Sequence, residues 1–116
     1  MNTLVTGGAG FIGSNLVERL IRDGHRVTII DNLSTGKREN LHKDAEFFEL
    51  DIAELDAIKP VFEKKDVVFH IAALPRLTRS IEDPASTFKS NVTGTLNVLL
   101  AARDEGAKRV VYSASS

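Results

Sequence analysis

The sequence predicts an α/β protein with a doubly wound parallel sheet, and two observations predict it. Short apolar, β-branched segments alternate with helical segments along the 116 residues, and strands that alternate with helices pair in parallel through right-handed crossovers. A glycine-rich turn at residues 6–13 joins the first strand to the first helix. The expected strand order is 3-2-1-4-5, and we predict one domain over residues 1–116.

The glycine-rich turn follows a short apolar strand and opens onto an amphipathic helix. Its glycines fit two motifs, Gly8-x-Gly10-x-x-Gly13 and Gly7-x-x-Gly10-x-x-Gly13. In either motif the tight turn requires residues without Cβ, and a small last residue lets the helix pack on the strand. The amides of the first helical turn and the positive end of the helix dipole then form an anion site. This context favours a dinucleotide pyrophosphate over a purely structural turn.

A carboxylate ends the second predicted strand, residues 26–31. This residue, Asp31, lies 18 residues after Gly13, close to the roughly 20 expected for the group that binds the adenosine ribose hydroxyls. A carboxylate here repels a 2′-phosphate and therefore favours NAD over NADP. The alternative is that Asp31 only caps a turn with Asn32.

The remaining elements continue the alternation. Their predicted positions are a helix over residues 14–23 ended by Gly24, a strand over 45–50, a short helix over 58–62 that includes Pro60, a strand over 66–71, a loop over 72–82, a long helix from Pro84, and a strand over 109–113. The strand over 66–71 is apolar enough to be buried on both faces. Asp83 suits the N-cap of the long helix and Gly106 its end. One apolar stripe of that helix is predicted to be buried, namely Phe88, Val92, Leu96, Leu99 and Ala102.

Composition excludes several classes of function. The net charge is −1 with both signs interspersed, so neither nucleic acid nor an anionic membrane surface is an expected partner. There is no cysteine, and His25, His42 and His70 lack metal-ligand spacing, so no metal site is expected. No apolar run reaches the roughly 20 residues of a membrane span. Met1 leads directly into a strand without a signal sequence, which predicts a cytoplasmic protein.

Taken together, these segments resemble the N-terminal part of an extended short-chain dehydrogenase/reductase. The resemblance covers essentially the whole chain. Within this superfamily the sequence is most similar to NAD-dependent nucleotide-sugar epimerases and dehydratases. The motifs that carry it are Thr6-Gly7-x-x-Gly10-x-x-Gly13, Asp31-Asn32-Leu33-Ser34-Thr35-Gly36, Asp51-Ile52, His70-Ile71-Ala72-Ala73 with Asn91-x-x-Gly94-Thr95, and Ser113-Ala114-Ser115. The fold that the resemblance implies is the NAD-binding Rossmann type.

The resemblance also implies roles for individual residues. It implies that Asp51 and Ile52 hold the adenine ring, that Asn91 supports the loop after the fourth strand, and that Ser115 is the catalytic serine. Arg76 and Arg79 are candidates to face a sugar diphosphate, with surface exposure as the alternative, and Arg76 is the better candidate of the two. The complete implied cofactor set is Gly7, Gly10, Phe11, Ile12, Gly13, Asp31, Asn32, Ser34, Thr35, Gly36, Asp51, Ile52, Ala72, Ala73, Leu74, Asn91 and Ser113.

Two further features, His70 and the Lys37–Arg38 pair, each have two interpretations. The residues favour one interpretation for His70 and leave both open for the basic pair. His70 ends an apolar strand, so a structural, hydrogen-bonded histidine is favoured over a general base. Lys37 and Arg38 either approach a phosphate of the adenosine half or form a solvated pair in a polar loop.

The finer resemblance concerns the reaction. Residues 73–76 and 79–84 resemble UDP-glucose and UDP-N-acetylglucosamine 4-epimerases more than dTDP-glucose 4,6-dehydratases. The implied function is the NAD-binding portion of a UDP-hexose 4-epimerase, in which tightly held NAD takes and returns hydride at C4. The alternatives are a fragment of a 4,6-dehydratase and a dinucleotide-binding module without chemistry.

One departure from the family pattern bears on activity. The family's Tyr-x-x-x-Lys pair and its sugar-binding region lie downstream of the fifth strand, beyond the 116 residues. We therefore expect an incomplete NAD-binding domain, from a truncated reading frame, that is inactive by itself. The fifth strand would form a bare edge beside an uncovered apolar face, which predicts a homodimer or other self-association.

Overall fold

A computed structural model describes residues 1–33, 37–71 and 84–112, of which 84–91 are described by their backbone alone. It has one five-stranded sheet, and every strand pair in it is parallel. The order β3-β2-β1-β4-β5 confirms the predicted topology. The strands are β1 Asn2–Thr6, β2 Arg26–Asp31, β3 Glu46–Glu49, β4 Val67–His70 and β5 Arg109–Tyr112. Their carboxyl ends meet at one edge of the sheet, where ligands of doubly wound folds bind.

The helices lie between successive strands as predicted, with shifted bounds. They are α1 Phe11–Arg22, α2 Leu55–Ile58 followed by a 3₁₀ turn Lys59–Phe62, and α3 Pro84–Asp104; a second 3₁₀ turn spans Arg38–Asn40. α1 begins three residues early because Gly10, in an extended conformation, is its N-cap. Pro60 lies in the first turn of the 3₁₀ segment, where its missing N–H has no helical partner to lose. No helix in the described ranges is long and apolar enough to cross a bilayer.

Both long helices end at the predicted glycines. Gly24 has a φ of +89° and Gly106 a φ of +80°, the left-handed conformation that favours glycine. The Gly24 amide donates to Ile21, and the next amide donates to Leu20, each at 3.0 Å. This pair of bonds is the Schellman arrangement that satisfies the last carbonyls of a helix.

The two faces of the sheet carry separate apolar cores. On one face, α1 packs on β1 and β2, and the buried residues are Val5, Val17, Leu20, Val27 and Ile29. On the other face, the segment 55–62 and α3 pack on the sheet. The buried residues there are Leu4, Ile30, Ile58, Phe62, Val68, Val98, Ala101 and Ala102. The sheet is therefore covered on both sides at its centre, as a doubly wound fold requires.

β4 is less buried than its sequence predicts. Val68 and His70 are buried, but Val67 and Phe69 are only half-buried. Phe69 lies in register between Val5 and Val111 on the α1 face, and burial falls along this row from complete at Val5 to 39% exposure at Val111. The prediction of burial on both faces was wrong for the α1 face, because among the described residues α1 packs on β1 and β2 and Phe69 lies at the margin of their core.

The apolar stripe predicted for α3 does not face the sheet. Val92, Leu96 and Leu99 are about half exposed, and of the described stripe residues only Ala102 is buried. The buried side is formed instead by small residues and one amide, namely Gly94, Asn97, Val98, Ala101 and Ala102. A Cβ added to Gly94 would lie 2.6 Å from Ile52 Cδ1. The helix therefore approaches the segment after β3 too closely for large side chains.

Candidate functional site

The glycine-rich turn lies at the carboxyl edge of the sheet, between β1 and α1. Gly7 has a φ of +79°, and its amide donates to the Ile30 carbonyl of β2 at 2.8 Å. The chain then folds back so that the Gly10 amide donates to the Gly7 carbonyl at 3.2 Å. The turn thus begins by pairing with the neighbouring strand and closes on itself before the helix starts.

Gly13 brings the first turn of α1 against the glycine turn. A Cβ added there would lie 2.0 Å from the Gly7 carbonyl oxygen, whereas one added to Gly10 would meet the same oxygen at 3.5 Å. A Cβ on Gly8 would meet the Ile29 side chain at 2.6 Å. Gly13 is thus required for helix packing, as its place in the motif predicts, and its obstacle is backbone that cannot swing aside.

The first turn of α1 presents amides without helical partners. The first bond into the helix is donated by Ser14 to the Gly10 carbonyl at 2.8 Å. The amides of Phe11, Ile12 and Gly13 precede it, and within the described residues none of them donates to a backbone carbonyl. The side chains of Phe11 and Ile12 are 80% and 48% exposed. This end of the helix is accessible and carries the positive end of its dipole.

Asp31 lies directly against the glycine turn. Its side chain is buried, with Oδ2 accepting from the Ala9 amide at 2.9 Å and Oδ1 accepting from the Leu33 amide at 2.7 Å. The second bond is a turn cap like the one considered from the sequence, made to Leu33, which has a φ of +62°. Each carboxylate oxygen keeps further acceptor capacity, so the cap and a ligand are compatible. Asn32 beside it is exposed.

The segment after β2 returns to the glycine turn. The Ala9 carbonyl accepts from the Lys37 amide and from Asn40 Nδ2, each at 3.1 Å. Arg38 is ion-paired with Glu49 of β3 and lies over the Phe47 ring, 5.8 Å from its centroid. The two basic residues thus differ in their surroundings. Arg38 is paired with β3, and the Lys37 side chain is exposed to solvent.

Asp51 and Ile52 lie after β3, next to α3. The exposed Asp51 caps its own turn, with Oδ1 accepting from the Ala53 amide at 2.9 Å. The half-buried Ile52 packs beside Gly94, and its carbonyl accepts from Asn97 Nδ2 at 2.9 Å. α3 therefore fixes this segment by one apolar contact and one hydrogen bond.

His70 links three elements at the end of β4. It is 1% exposed, and its Nδ1 shares a hydrogen bond with Thr6 Oγ1 at 2.7 Å while Nε2 shares one with Thr95 Oγ1 at 3.0 Å. Burial lowers the pKa of His70 to about 4, so the ring is neutral at pH 7. The predicted hydrogen-bonded, structural histidine is confirmed, and it joins α3 to the strand that leads into the glycine turn.

Thr6 also fixes the start of the segment after β4. The Ile71 amide donates to Thr6 Oγ1 and to the Thr6 carbonyl, each at 3.1 Å. Residues 72–83 themselves lie outside the described residues, as do Ser34, Thr35, Gly36, Ser113 and Ser115. The predicted roles of Ala72, Ala73, Leu74 and Arg76 and of the Asp83 cap fall there, and the Asn91 side chain is likewise not described.

The Asn40 bond to Ala9 and the Asn97 bond to Ile52 are contacts at the site that were not predicted from the sequence. Thr95 is part of the Asn91-x-x-Gly94-Thr95 motif, and its hydrogen bond to His70 was also not predicted. A signal for Asn97 was present, because it lies on the helix face that carries Gly94, Val98 and Ala101. Across residues 1–33, 37–71 and 84–112, no group of three or more His, Asp or Glu is placed to hold a metal ion.

Comparison with known proteins identifies one family. Residues 3–116 match the NAD dependent epimerase/dehydratase family. The chain is 46% identical to UDP-glucose 4-epimerase of Mycolicibacterium smegmatis, over 99% of this chain and 39% of the relative. It is 41% identical to the crystal structure of UDP-glucose 4-epimerase with UDP-glucose from Thermotoga maritima, with a TM-score of 0.95 over 99% of this chain and 38% of that one.

A second solved structure, Thermus thermophilus UDP-glucose 4-epimerase in complex with NAD, is 43% identical, with a TM-score of 0.88 over 95% of this chain and 36% of that one. The chain thus spans about two fifths of the length of these relatives. With its fold, its glycine turn and these likenesses in agreement, the chain belongs to the NAD dependent epimerase/dehydratase family.

Proposed function

We propose that this chain is the NAD-binding part of a UDP-hexose 4-epimerase. The observation that carries the proposal is the contact between Asp31 and the glycine turn, 2.9 Å from Oδ2 to the Ala9 amide. It sets a buried carboxylate beside the free amides of a helix start, which are the two groups that a dinucleotide requires. Relatives named as UDP-glucose 4-epimerases favour this function over a 4,6-dehydratase.

The described residues fit NAD chemically. The amides of Phe11, Ile12 and Gly13 would hold the diphosphate, because they lie at the positive end of the α1 dipole, which favours anions. Asp31 would accept from the adenosine ribose hydroxyls, with Asn32 beside it. Asp51 and Ile52 would hold the adenine, since both follow the carboxyl end of β3 and α3 fixes Ile52 there. Gly7 and Gly10 complete the described part of the proposed set.

The rest of the proposed set depends on residues outside the described ranges. It comprises Ser34, Thr35, Gly36, Ala72, Ala73, Leu74, Asn91 and Ser113 for the cofactor, Arg76 for the sugar diphosphate and Ser115 for catalysis. NAD, when bound, accepts hydride from the sugar and returns it. The neutral His70 would not move a proton in this reaction, because both ring nitrogens are engaged with threonines and its pKa is about 4.

The proposal extends to organisation. We propose that residues 1–116 are an NAD-binding domain, that the protein is cytoplasmic and that it takes a UDP-hexose as substrate. Self-association, as a homodimer, is proposed from the exposed apolar side of α3, which presents Val92, Leu96 and Leu99. Apolar patches of this kind mark association surfaces in many proteins.

Calorimetric titration with NAD and NADP tests the cofactor proposal. Asp31→Asn keeps the shape of the side chain but removes the charge, so we expect about tenfold weaker NAD binding and a smaller preference over NADP. Asp44→Asn, an exposed carboxylate before β3, is the control and should leave both affinities within twofold. The absence of saturable heat from the wild-type protein at millimolar NAD would contradict the proposal, as would equal affinities of Asp31→Asn and the wild type.

A further inference from the structure

The peptide units on either side of Ala9 are held by groups outside the glycine turn. The Ala9 amide, in the peptide that follows Gly8, donates to Asp31 Oδ2 at 2.9 Å. The Ala9 carbonyl, in the peptide that precedes Gly10, accepts from the Lys37 amide and from Asn40 Nδ2, each at 3.1 Å. Ala9 itself is fully buried. The orientation of two consecutive peptide planes thus depends on residues 31, 37 and 40.

The short 3₁₀ turn at Arg38–Asn40 is what brings two donors to one carbonyl. The Asn40 amide donates to the Lys37 carbonyl at 2.9 Å, which closes the turn and sets the Asn40 side chain on the same side as the Lys37 amide. Asn40 is exposed to solvent, and its side-chain amide reaches 31 residues back along the chain. Neither its burial nor its place in the fold requires an asparagine there.

We propose that Asn40 is a positioning residue for the diphosphate of the cofactor, an inference that rests on the proposed NAD function. A peptide plane has two orientations, and rotation of the Ala9–Gly10 unit would turn its carbonyl dipole toward the helix start. A carbonyl oxygen facing a diphosphate repels it, whereas amides that are fixed in advance stabilise it without reorganisation. By holding the Ala9 carbonyl from behind, Asn40 keeps the Gly10 amide on the Gly7 carbonyl and leaves the following amides free.

Asn40→Ala tests this role because it removes the donor and adds no charge. A neutral hydrogen bond of this kind corresponds to about a three- to tenfold change in affinity. We expect that loss for NAD and for ADP, which share the diphosphate, and no change for adenosine, which lacks it. All three affinities are measured by titration of the 116-residue protein followed by NMR.

Asn2→Ala is the matched control. Asn2 also donates a side-chain amide to a backbone carbonyl, that of Lys64 at 3.2 Å, but at the opposite edge of the sheet. We expect this variant to bind NAD, ADP and adenosine like the wild type. An equal loss of affinity in both variants would show a general effect on stability and would overturn the proposal, as would unchanged ADP binding by Asn40→Ala.

Hydrogen exchange without ligand separates this inference from the proposed function. Release of the Ala9 carbonyl should speed exchange of the Lys37 and Gly10 amides in Asn40→Ala and leave that of Ser14 within α1 unchanged. Unchanged exchange at Lys37 and Gly10 would overturn the inference while NAD binding by the wild type stood. A wild-type protein that bound no NAD would overturn the proposed function and, with it, the role of Asn40 toward the diphosphate.

Discussion

The two long helices pack on the sheet in opposite ways. Beyond Gly13, α1 buries Val17 and Leu20 against β1 and β2. α3 buries small residues, such as Ala101, and leaves Leu96 and Leu99 about half exposed. Over this span α1 turns its large apolar side chains inward, whereas among the described side chains of α3 the larger apolar ones, Leu96 and Leu99, lie on the exposed side. The buried residues therefore differ in size between the two helices, and α3 also buries one amide side chain, that of Asn97.

The difference follows from what each helix meets at its closest approach. α1 meets backbone at Gly13, and beyond that point it buries the branched residues Val17 and Leu20 against the sheet. α3 meets the Ile52 side chain at Gly94 and continues past it with Val98 and Ala101. Its described side chains are also joined to neighbouring segments by polar contacts, among them Thr95 to His70, Asn97 to Ile52 and Asp104 to Lys59. Over residues 92–104 of α3, close approach and side-chain hydrogen bonds thus take the place of large apolar contacts.

The largest expected effect is at the close approach of α1. A methyl group at Gly13 would overlap the Gly7 carbonyl oxygen at 2.0 Å, and since the obstacle is backbone, we expect Gly13→Ala to destabilise the fold by about 3 kcal/mol. Gly10→Ala meets the same oxygen at 3.5 Å and should change stability by less than about 1 kcal/mol. Urea unfolding of both variants measures the difference. Equal stabilities would show that the turn can move away from the helix.

The second prediction reverses the sequence-based interpretation of α3. Ala101→Leu adds volume on the fully buried face and should destabilise the protein by about 2 kcal/mol. Leu99→Ala removes volume from a side chain that is 48% exposed and should cost less than about 1 kcal/mol. If the helix turned its larger residues to the sheet, the order of the two effects in urea unfolding would be inverted.

These helices also show how far the sequence predicts the fold. Glycine marks turns and helix ends through its own backbone conformation, so the turn at Gly7 and the helix ends at Gly24 and Gly106 followed from the sequence. The strand order followed from the alternation of strands and helices. The buried side of α3 did not, because both of its faces carry apolar residues and the deciding fact is the distance to Ile52. That distance depends on the path of a segment some forty residues earlier, which periodicity does not encode.

The site divides in the same manner. The place of Asp31 against the glycine turn was predictable, since spacing and strand order together bring the two to one edge. The partners of Asn40 and Asn97 were not, because each is an amide that reaches a backbone carbonyl far away in the sequence. Such bonds depend on the final position of a carbonyl, and no residue type marks that position.

The third prediction concerns the loss of stability at low pH through His70, which is bonded to α3. His70 has a pKa of about 4 in the folded protein, lowered by burial from 6.5, so below pH 6.5 the unfolded chain binds a proton that the folded chain excludes. Stability is therefore lost as the pH falls from 6.5 toward 4. Between pH 7 and pH 5 this contribution is about 2 kcal/mol.

His70→Gln supplies the reference for that measurement, because glutamine does not titrate. Urea unfolding at pH 7 and pH 5 should show a loss in the wild type that exceeds the loss in His70→Gln by the stated amount. The rate of hydrogen exchange at pH 5 should rise at Thr95 and its neighbours in α3 before it rises in α1, since α3 is bonded to the ring through Thr95. Parallel stability losses in both proteins would mean that His70 accepts its proton without unfolding.

The smallest effect on stability is expected on the exposed side of α3. Leu96 is 52% exposed, so Leu96→Gln should change the free energy of unfolding by less than about 0.5 kcal/mol. Its effect should appear instead in association, because the variant interrupts the apolar surface formed with Val92 and Leu99. Sedimentation velocity at rising concentration should show self-association of the wild type and less of it in Leu96→Gln.

Val17→Ala in α1 is the control, because it weakens a buried contact without touching this surface. It should show the converse, a loss of stability of about 2 kcal/mol with association unchanged. A wild-type protein that remained monomeric would leave the exposed leucines of α3 without a role in assembly and would remove the basis for the proposed homodimer.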